Sequence, residues 1–277
     1  MDPEPPTKVS RLSRIGLTLR QPAVIRFCLY GVIVSWVVAL GGGYLFAQLD
    51  PAGPGKDAAG YSLLANYISD LGSLRYTPLP KFLDCGLMLT GIFMVPTALY
   101  LRRIMSPAGD TNRFRKIFSY LILGVYLVGS VGIFFTGVIS EDVGDSWDAL
   151  FGMPFPDYPW HDLASDIAFY AFIGNGFLIT LMLVLFPSIL EKQMGLTRKG
   201  SIITRILLGL DVVILCPLFF AIFWTSYPDR VVLRMFSSFW EWMLVLSYTA
   251  WQVPLCALLI RALRRPRPTE AAASEAG

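Results

Sequence analysis

The chain has 277 residues, 55% of them hydrophobic and only 16% charged, against roughly 45–50% and 25% in a soluble globular protein. Disorder would need low hydrophobicity and a high charge fraction, and four cysteines are too few for a disulfide scaffold, which leaves a polytopic membrane protein. A net charge of +3 is too small to point to a nucleic-acid partner.

In chain order, residues 1–22 are rich in Pro and charge and form an expected disordered cytoplasmic tail. A membrane domain follows over 23–262, with six apolar runs at about 24–49, 80–101, 117–139, 163–186, 202–226 and 235–260. Each is long enough to cross about 30 Å of hydrocarbon at 1.5 Å per residue. An isolated strand would leave its backbone polar groups unpaired in lipid, so each run is expected to be a helix in an all-α bundle. The first is too long for the apolar core of a cleaved signal peptide, which makes it an expected uncleaved span. Residues 263–277 form a second expected disordered tail.

Small residues mark where helices should meet. Gly31, Ser35, Ala39 and Gly43 recur every four positions along the first span, a spacing that brings a neighbouring backbone close, and Gly129, Gly132 and Thr136 offer a similar face in the third. Pro96, Pro217 and Pro254 lie inside spans and each removes a helical hydrogen bond, predicting kinks. Cys28, Cys85, Cys216 and Cys256 fall at different depths and suit no disulfide, so they are expected to pack as small hydrophobes.

The basic residues supply an independent test of topology. Of the 23 Lys and Arg residues, 18 fall in the tails and in the second and fourth connections, and the other five are Lys56, Arg75, Lys81, Arg230 and Arg234. By the positive-inside rule both termini are cytoplasmic, and the expected host is the plasma membrane. Thirteen acids lie at or near the outer side, a surface suited to cations or cationic groups.

Three constellations could carry chemistry. In the first, a helix over 66–72 would put Asn66, Ser69 and Asp70 on one face at i, i+3 and i+4, with Gly72 as a stop and Asp84 entering the second span near the same level. In the second, His161 and Ser165, and Asp162 and Asp166, stack at a spacing of four on the head of the fourth span. Helix capping explains Asp162 equally well, whereas Asp166 lies deeper and His161 is the single histidine of the chain. The third group comprises embedded acids: Glu241 between two tryptophans, with Arg234 seven residues before it as a natural partner, and Asp211 within the fifth span. Ionised carboxylates at such depths must pair, face the interior or take up a proton.

A tetrahedral zinc site is not expected from one histidine and scattered cysteines, and no EF-hand, Walker, dinucleotide or haem motif occurs. A Ser69 nucleophile with His161 as base and Asp70, Asp84 or Asp166 as orienter is arithmetically available, though no Gly-x-Ser-x-Gly elbow supports it. Proton or cation transport through Asp211 and Glu241 is a third possibility, without a visible inverted repeat.

Tyr61 to Gly72 (YSLLANYISDLG) followed by Pro78, Gly137 to Asp142 (GVISED), and His161 with Ala164, Phe169 and Gly174-Asn175 resemble the signature blocks of the domain of unknown function 998 membrane-protein family. They are also distantly similar to the damage-regulated autophagy modulator group. The departure is an enlarged acidic and aromatic third loop, Ser146 to Trp160. The resemblance implies a six-helix membrane protein and, in the wider group, a lipid-linked role, with no established reaction. The resulting expectation is a polar pocket at the outer leaflet lined by Asn66, Ser69, Asp70, Asp84, Glu141, Asp142, His161, Asp166 and Glu241, taking a lipid headgroup or a cation. The alternative is a lipid hydrolase or transferase acting through Ser69 and His161.

Overall fold

A computed structural model describes residues 18–49, 61–155, 158–226 and 237–264. The expected tail disorder over 1–17 and 265–277, and the readings placed on Asp50, Lys56, Asp57, Asp157, Asp229, Arg230 and Arg234, lie outside them. Among the described residues six helices are long and apolar enough to cross a membrane, and no strand forms beyond one isolated bridge between Phe155 and Tyr158.

Helix α1 spans Pro22–Leu49 and α2 spans Pro80–Met105, the latter opening on a proline, whose missing N–H costs nothing in a first turn. Arg102 and Arg103 end α2 where the helix dipole favours positive charge. Helix α3, Arg113–Val138, starts at Asn112, whose side chain accepts from Arg115 N at 3.0 Å. A short helix, α4 (Glu141–Phe151), follows where only a loop was expected, with Glu141 and Asp142 in its first turn and Gly152 at φ 74° after its end. Helix α5 spans Trp160–Leu185, three residues earlier than the sequence suggests, so His161 and Asp162 belong to its first turn.

The fifth span is interrupted. Helix α6 (Arg198–Leu210) passes through a π-helical turn at Asp211–Leu215 into α7, Cys216–Ser226. Asp211 in that turn accepts from Ser247 Oγ at 2.5 Å. Helix α8, Ser237–Leu263, contains Pro254, and α2 contains Pro96. Both helices continue through their prolines.

The helices form a ring in the order α1, α2, α3, α5, α6–α7 and α8, which returns to α1. Small residues close three of its seams. Between α1 and α2, Ser35 Oγ and Thr90 Oγ1 are 2.7 Å apart and Ala39 sits against Gly86. A Cβ at Gly91 of α2 would come within 2.7 Å of the Ser130 carbonyl on α3, and one at Gly132 would meet Ala168 N on α5 at 2.7 Å. Lipid tails are as apolar as leucine, so this intimate backbone contact, rather than a hydrophobic force, holds the helices together. At the end bearing the second and fourth connections, Ile179, Met182, Leu183, Leu255 and Leu259 are buried and the ring is filled. At the other end it is hollow.

Candidate functional site

The hollow begins with the segment between α1 and α2. Residues 66–72 do not form the expected helix: they make turns leading into a 3₁₀ turn at Ser69–Gly72. The cause is side-chain competition for the backbone. Asn66 Oδ1 accepts from Ser62 N at 2.9 Å, and Asp70 Oδ2 accepts from Tyr67 N at 2.9 Å and from Asn66 Nδ2 at 3.3 Å, bonds that replace helical ones. The segment is bolted to the ring. Tyr61 OH donates to Tyr67 O at 2.9 Å and accepts from Trp242 Nε1 at 3.1 Å, Tyr67 OH and Ser237 Oγ are 2.7 Å apart, and Ile68 N donates to Glu241 Oε2 at 2.8 Å. The expected partner Arg234 lies outside the described residues, and the observed partner of Glu241 is this backbone amide.

Close packing delivers Asp84 to the same place. Its Oδ1 lies where a Cβ on Gly72 would be only 2.8 Å away, so the bare glycine makes room for the carboxylate. Lys81 Nζ reaches Asp84 Oδ2 at 3.1 Å and Ser140 Oγ at 3.0 Å. From the other side, α4 brings Glu141, and the head of α5 brings His161, Asp162 and Asp166. His161 Nδ1 contacts the Ile139 carbonyl at 2.5 Å, which makes that nitrogen the donor and turns Nε2 toward Glu141 Oε2 at 3.6 Å. Tyr158 OH donates to Asp166, and Trp160 N to Asp148 Oδ1 at 3.1 Å.

The cavity so enclosed has a volume of about 460 Å³. Its rim carries Asp70, Asp84, Glu141, Asp145, Asp148, Asp162, Asp166 and Glu241, its depth Trp36, Leu87, Ile133, Phe172, Val245 and Tyr248, and no Lys or Arg is among the described residues lining it. Its floor is the stacked pair Phe172 and Tyr248, with centroids 4.3 Å apart. Among the described lining residues outside the spans, two groups have shifted acidity. Burial pushes the Asp70 carboxyl up to about 6 against the pull of its bonds from Tyr67 and Asn66. Burial and the neighbouring Asp166 carboxylate raise the Tyr158 phenol.

Of the nine residues expected to line a common pocket, Ser69, Asp70, Asp84, Glu141, His161, Asp166 and Glu241 face this cavity. Asn66 and Asp142 do not. Asn66 braces the 61–72 segment, and Asp142 latches it to α4, accepting from Ser73 Oγ at 2.7 Å and Leu74 N at 2.9 Å. Ser69, His161 and Asp70 line the same space without forming a relay: among the described residues both ring nitrogens of His161 face Ile139 and Glu141, and Asp70 holds its own loop. Asp211 sits apart, paired with Ser247 in the fifth span.

The sequence did not single out Tyr158, Trp36 or Tyr248 as part of the site. Only the enrichment of aromatic residues near Asp166 hinted at the first, and the other two look like ordinary span residues. Among the described residues no three His, Cys, Asp or Glu side chains are grouped to share a metal ion. What the arrangement offers is a fixed negative field over an apolar slot with an aromatic wall, complementary to a positively charged group on a hydrocarbon body.

A family model described as Protein of unknown function (DUF998) matches residues 55–258. No curated protein and no solved structure matches the chain.

Proposed function

The chain belongs to the DUF998 family, and from that premise we propose that this multi-pass membrane protein binds an amphiphile with a positively charged headgroup, such as an aminolipid or a quaternary ammonium lipid. The observation that carries this reading is the acidic rim, where Lys81 offsets Asp84 but no Lys or Arg is among the described lining, set directly over an apolar slot. A hydrocarbon tail gains little by leaving lipid for an equally apolar pocket, so selectivity rests with the headgroup. There, a charge partly withdrawn from water meets carboxylates at a lower dielectric than bulk solvent, while Trp36 and Tyr248 in the depth line the slot that takes the hydrocarbon. The excess of bases in the tails and in the second and fourth connections supports cytoplasmic termini, with the cavity opening on the outer leaflet of the plasma membrane.

Among the described residues the Asp145 and Asp162 carboxylates face the cavity with no side-chain hydrogen bond, which leaves them available to a ligand. The test is binding of a long-chain alkyltrimethylammonium to the purified protein in lipid nanodiscs, followed by tryptophan fluorescence, with native mass spectrometry of whatever lipid co-purifies. Asp162→Asn is expected to weaken binding by about tenfold, or ~1.4 kcal/mol. Equal binding of an uncharged amphiphile of the same chain length, or no loss in Asp145→Asn and Asp162→Asn, would overturn the proposal.

A further inference from the structure

We infer that the ligand of this cavity is a bilayer-resident lipid that enters sideways from the membrane, between α5 and α7. This rests on the cationic-amphiphile reading and adds the source of the ligand and its route.

The ring is not uniformly closed. In the most apolar stretch of each of the other five spans, 39–56% of residues are buried within the protein, but only 17% in the fifth. Where α1–α2, α2–α3 and α3–α5 meet backbone to side chain through glycine and alanine, α5 and α7 meet at cavity level through side-chain tips. Tyr170 and Phe220 form an edge-to-face pair with centroids 5.5 Å apart. Both belong to helix faces that border the cavity: Tyr170 lies one turn below Asp166 and next to Phe169, and Phe220 lies one turn from Cys216. The Tyr170 side is about half exposed toward lipid.

Toward α5 the fifth span is held lower down. Val212 packs where a Cβ on Gly176 would be 3.3 Å from its methyl, and Asp211 holds Ser247. Both anchors lie in or beside the π-helical turn, a mid-helix irregularity of the kind that marks functional bends. Above this point α7 packs along α8, with Phe219 and Trp240 centroids 6.0 Å apart, and faces α5 through the Tyr170–Phe220 ring pair, whose parting breaks no side-chain hydrogen bond. A tail passing between Tyr170 and Phe220 reaches the apolar slot while its headgroup travels along the Asp166 rim. A water-soluble ammonium ion would need no such seam and would enter from the acidic mouth.

The two sources are separated by loading assays on the full-length protein in nanodiscs. In a background with Cys28, Cys85, Cys216 and Cys256 changed to alanine, Tyr170→Cys and Phe220→Cys are joined by a short bis-thiol cross-linker. One probe is a brominated long-chain trimethylammonium delivered in phosphatidylcholine vesicles, which quenches tryptophan on arrival; the other is tetraethylammonium in solution. Cross-linking is expected to slow loading of the long-chain probe by roughly tenfold or more, with little change in the response to tetraethylammonium. Phe220→Ala, which needs no cysteine background, is expected to speed loading by several-fold. Lateral entry is overturned if both versions load at the wild-type rate while still binding the probes. If neither probe binds the unmodified protein, the cavity reading itself falls, and this inference with it.

Discussion

The α3–α5 seam and the α5–α7 seam share one helix and solve the same problem in opposite ways. On one side of α5, Ala168 N sits 2.7 Å from where a Gly132 Cβ would be, so backbone lies against backbone. On the other, Tyr170 touches Phe220 through ring edges, and the neighbouring span is the least buried of the six. A close-packed seam cannot open without losing many short contacts at once, whereas a seam of aromatic tips can part and re-form. The difference locates rigidity on the α1–α2–α3–α5 side of the cavity and compliance on the α7 side.

The sharpest way to break the contrast is Gly132→Val. Its side chain would collide with the α5 backbone, which cannot move aside as a flexible tip would, and a loss of ~3 kcal/mol or more is expected. The measurement is the melting temperature and the folded yield by size-exclusion chromatography. Phe220→Ala should leave both nearly unchanged, and if the two variants melt alike the contrast is lost.

Next in size is Glu241→Ala. It leaves the Ile68 amide buried without its acceptor, a loss of about 2 kcal/mol, while Glu241→Gln keeps an oxygen in place and should cost about half as much. Thermal unfolding of the pair distinguishes a structural acceptor from a purely electrostatic one.

A third prediction concerns pH. The folded Asp70 carboxyl, at about 6, lies above its ordinary value of 3.8. Between those values the folded chain binds more protons than the unfolded one, so this group's contribution makes stability fall as pH rises from about 4 to 6, with no further loss above. At about 1.4 kcal/mol per unit, the interval from 3.8 to about 6 sets a ceiling of about 3 kcal/mol, which solvent screening of the partly exposed carboxyl brings down. Asp70→Asn should flatten that part of the melting-temperature profile, and an unchanged slope would show that another group sets it. The smallest expected change is Thr197→Ala, which removes the cap on Gly200 N at the start of α6. A cost of about 1 kcal/mol, confined to the fifth span, should appear as faster amide exchange there with little shift in global melting.

The spans were legible because bilayer thickness imposes a length and composition that nothing else in the chain satisfies. The small-residue stripe of Gly31, Ser35, Ala39 and Gly43 was legible as a contact face, but the sequence could not say that Ala39 meets Gly86 or that Gly43 faces Leu71. Helix α4 escaped notice because, at the head of a long loop, its acidic residues look like solvent-exposed chain, although Glu141 and Asp142 are acids that suit a first turn. The stretch 66–72 misled in the opposite sense: spacing suggested a helical face, while Asn66 and Asp70 spend their oxygens on nearby amides. The π-helical turn has no local sequence mark beyond Asp211 itself, an embedded acid that says nothing of helix register, since the other four residues read as apolar span. Convergence of Asp70, Asp84, His161 and Glu241 on one hollow depends on ring order, and hydropathy carries no information about which helices are neighbours.

With a single histidine in the chain, the imidazole on the cavity wall is a built-in reporter. A protein labelled with ¹⁵N at histidine would give one pair of ring-nitrogen signals, free of overlap. The nitrogen bound to the Ile139 carbonyl would serve as an internal standard, while the one facing Glu141 would respond to whatever enters. Arrival of a guest, its headgroup charge and the rate of its exchange could then be followed at one atom, without adding any label to the cavity itself.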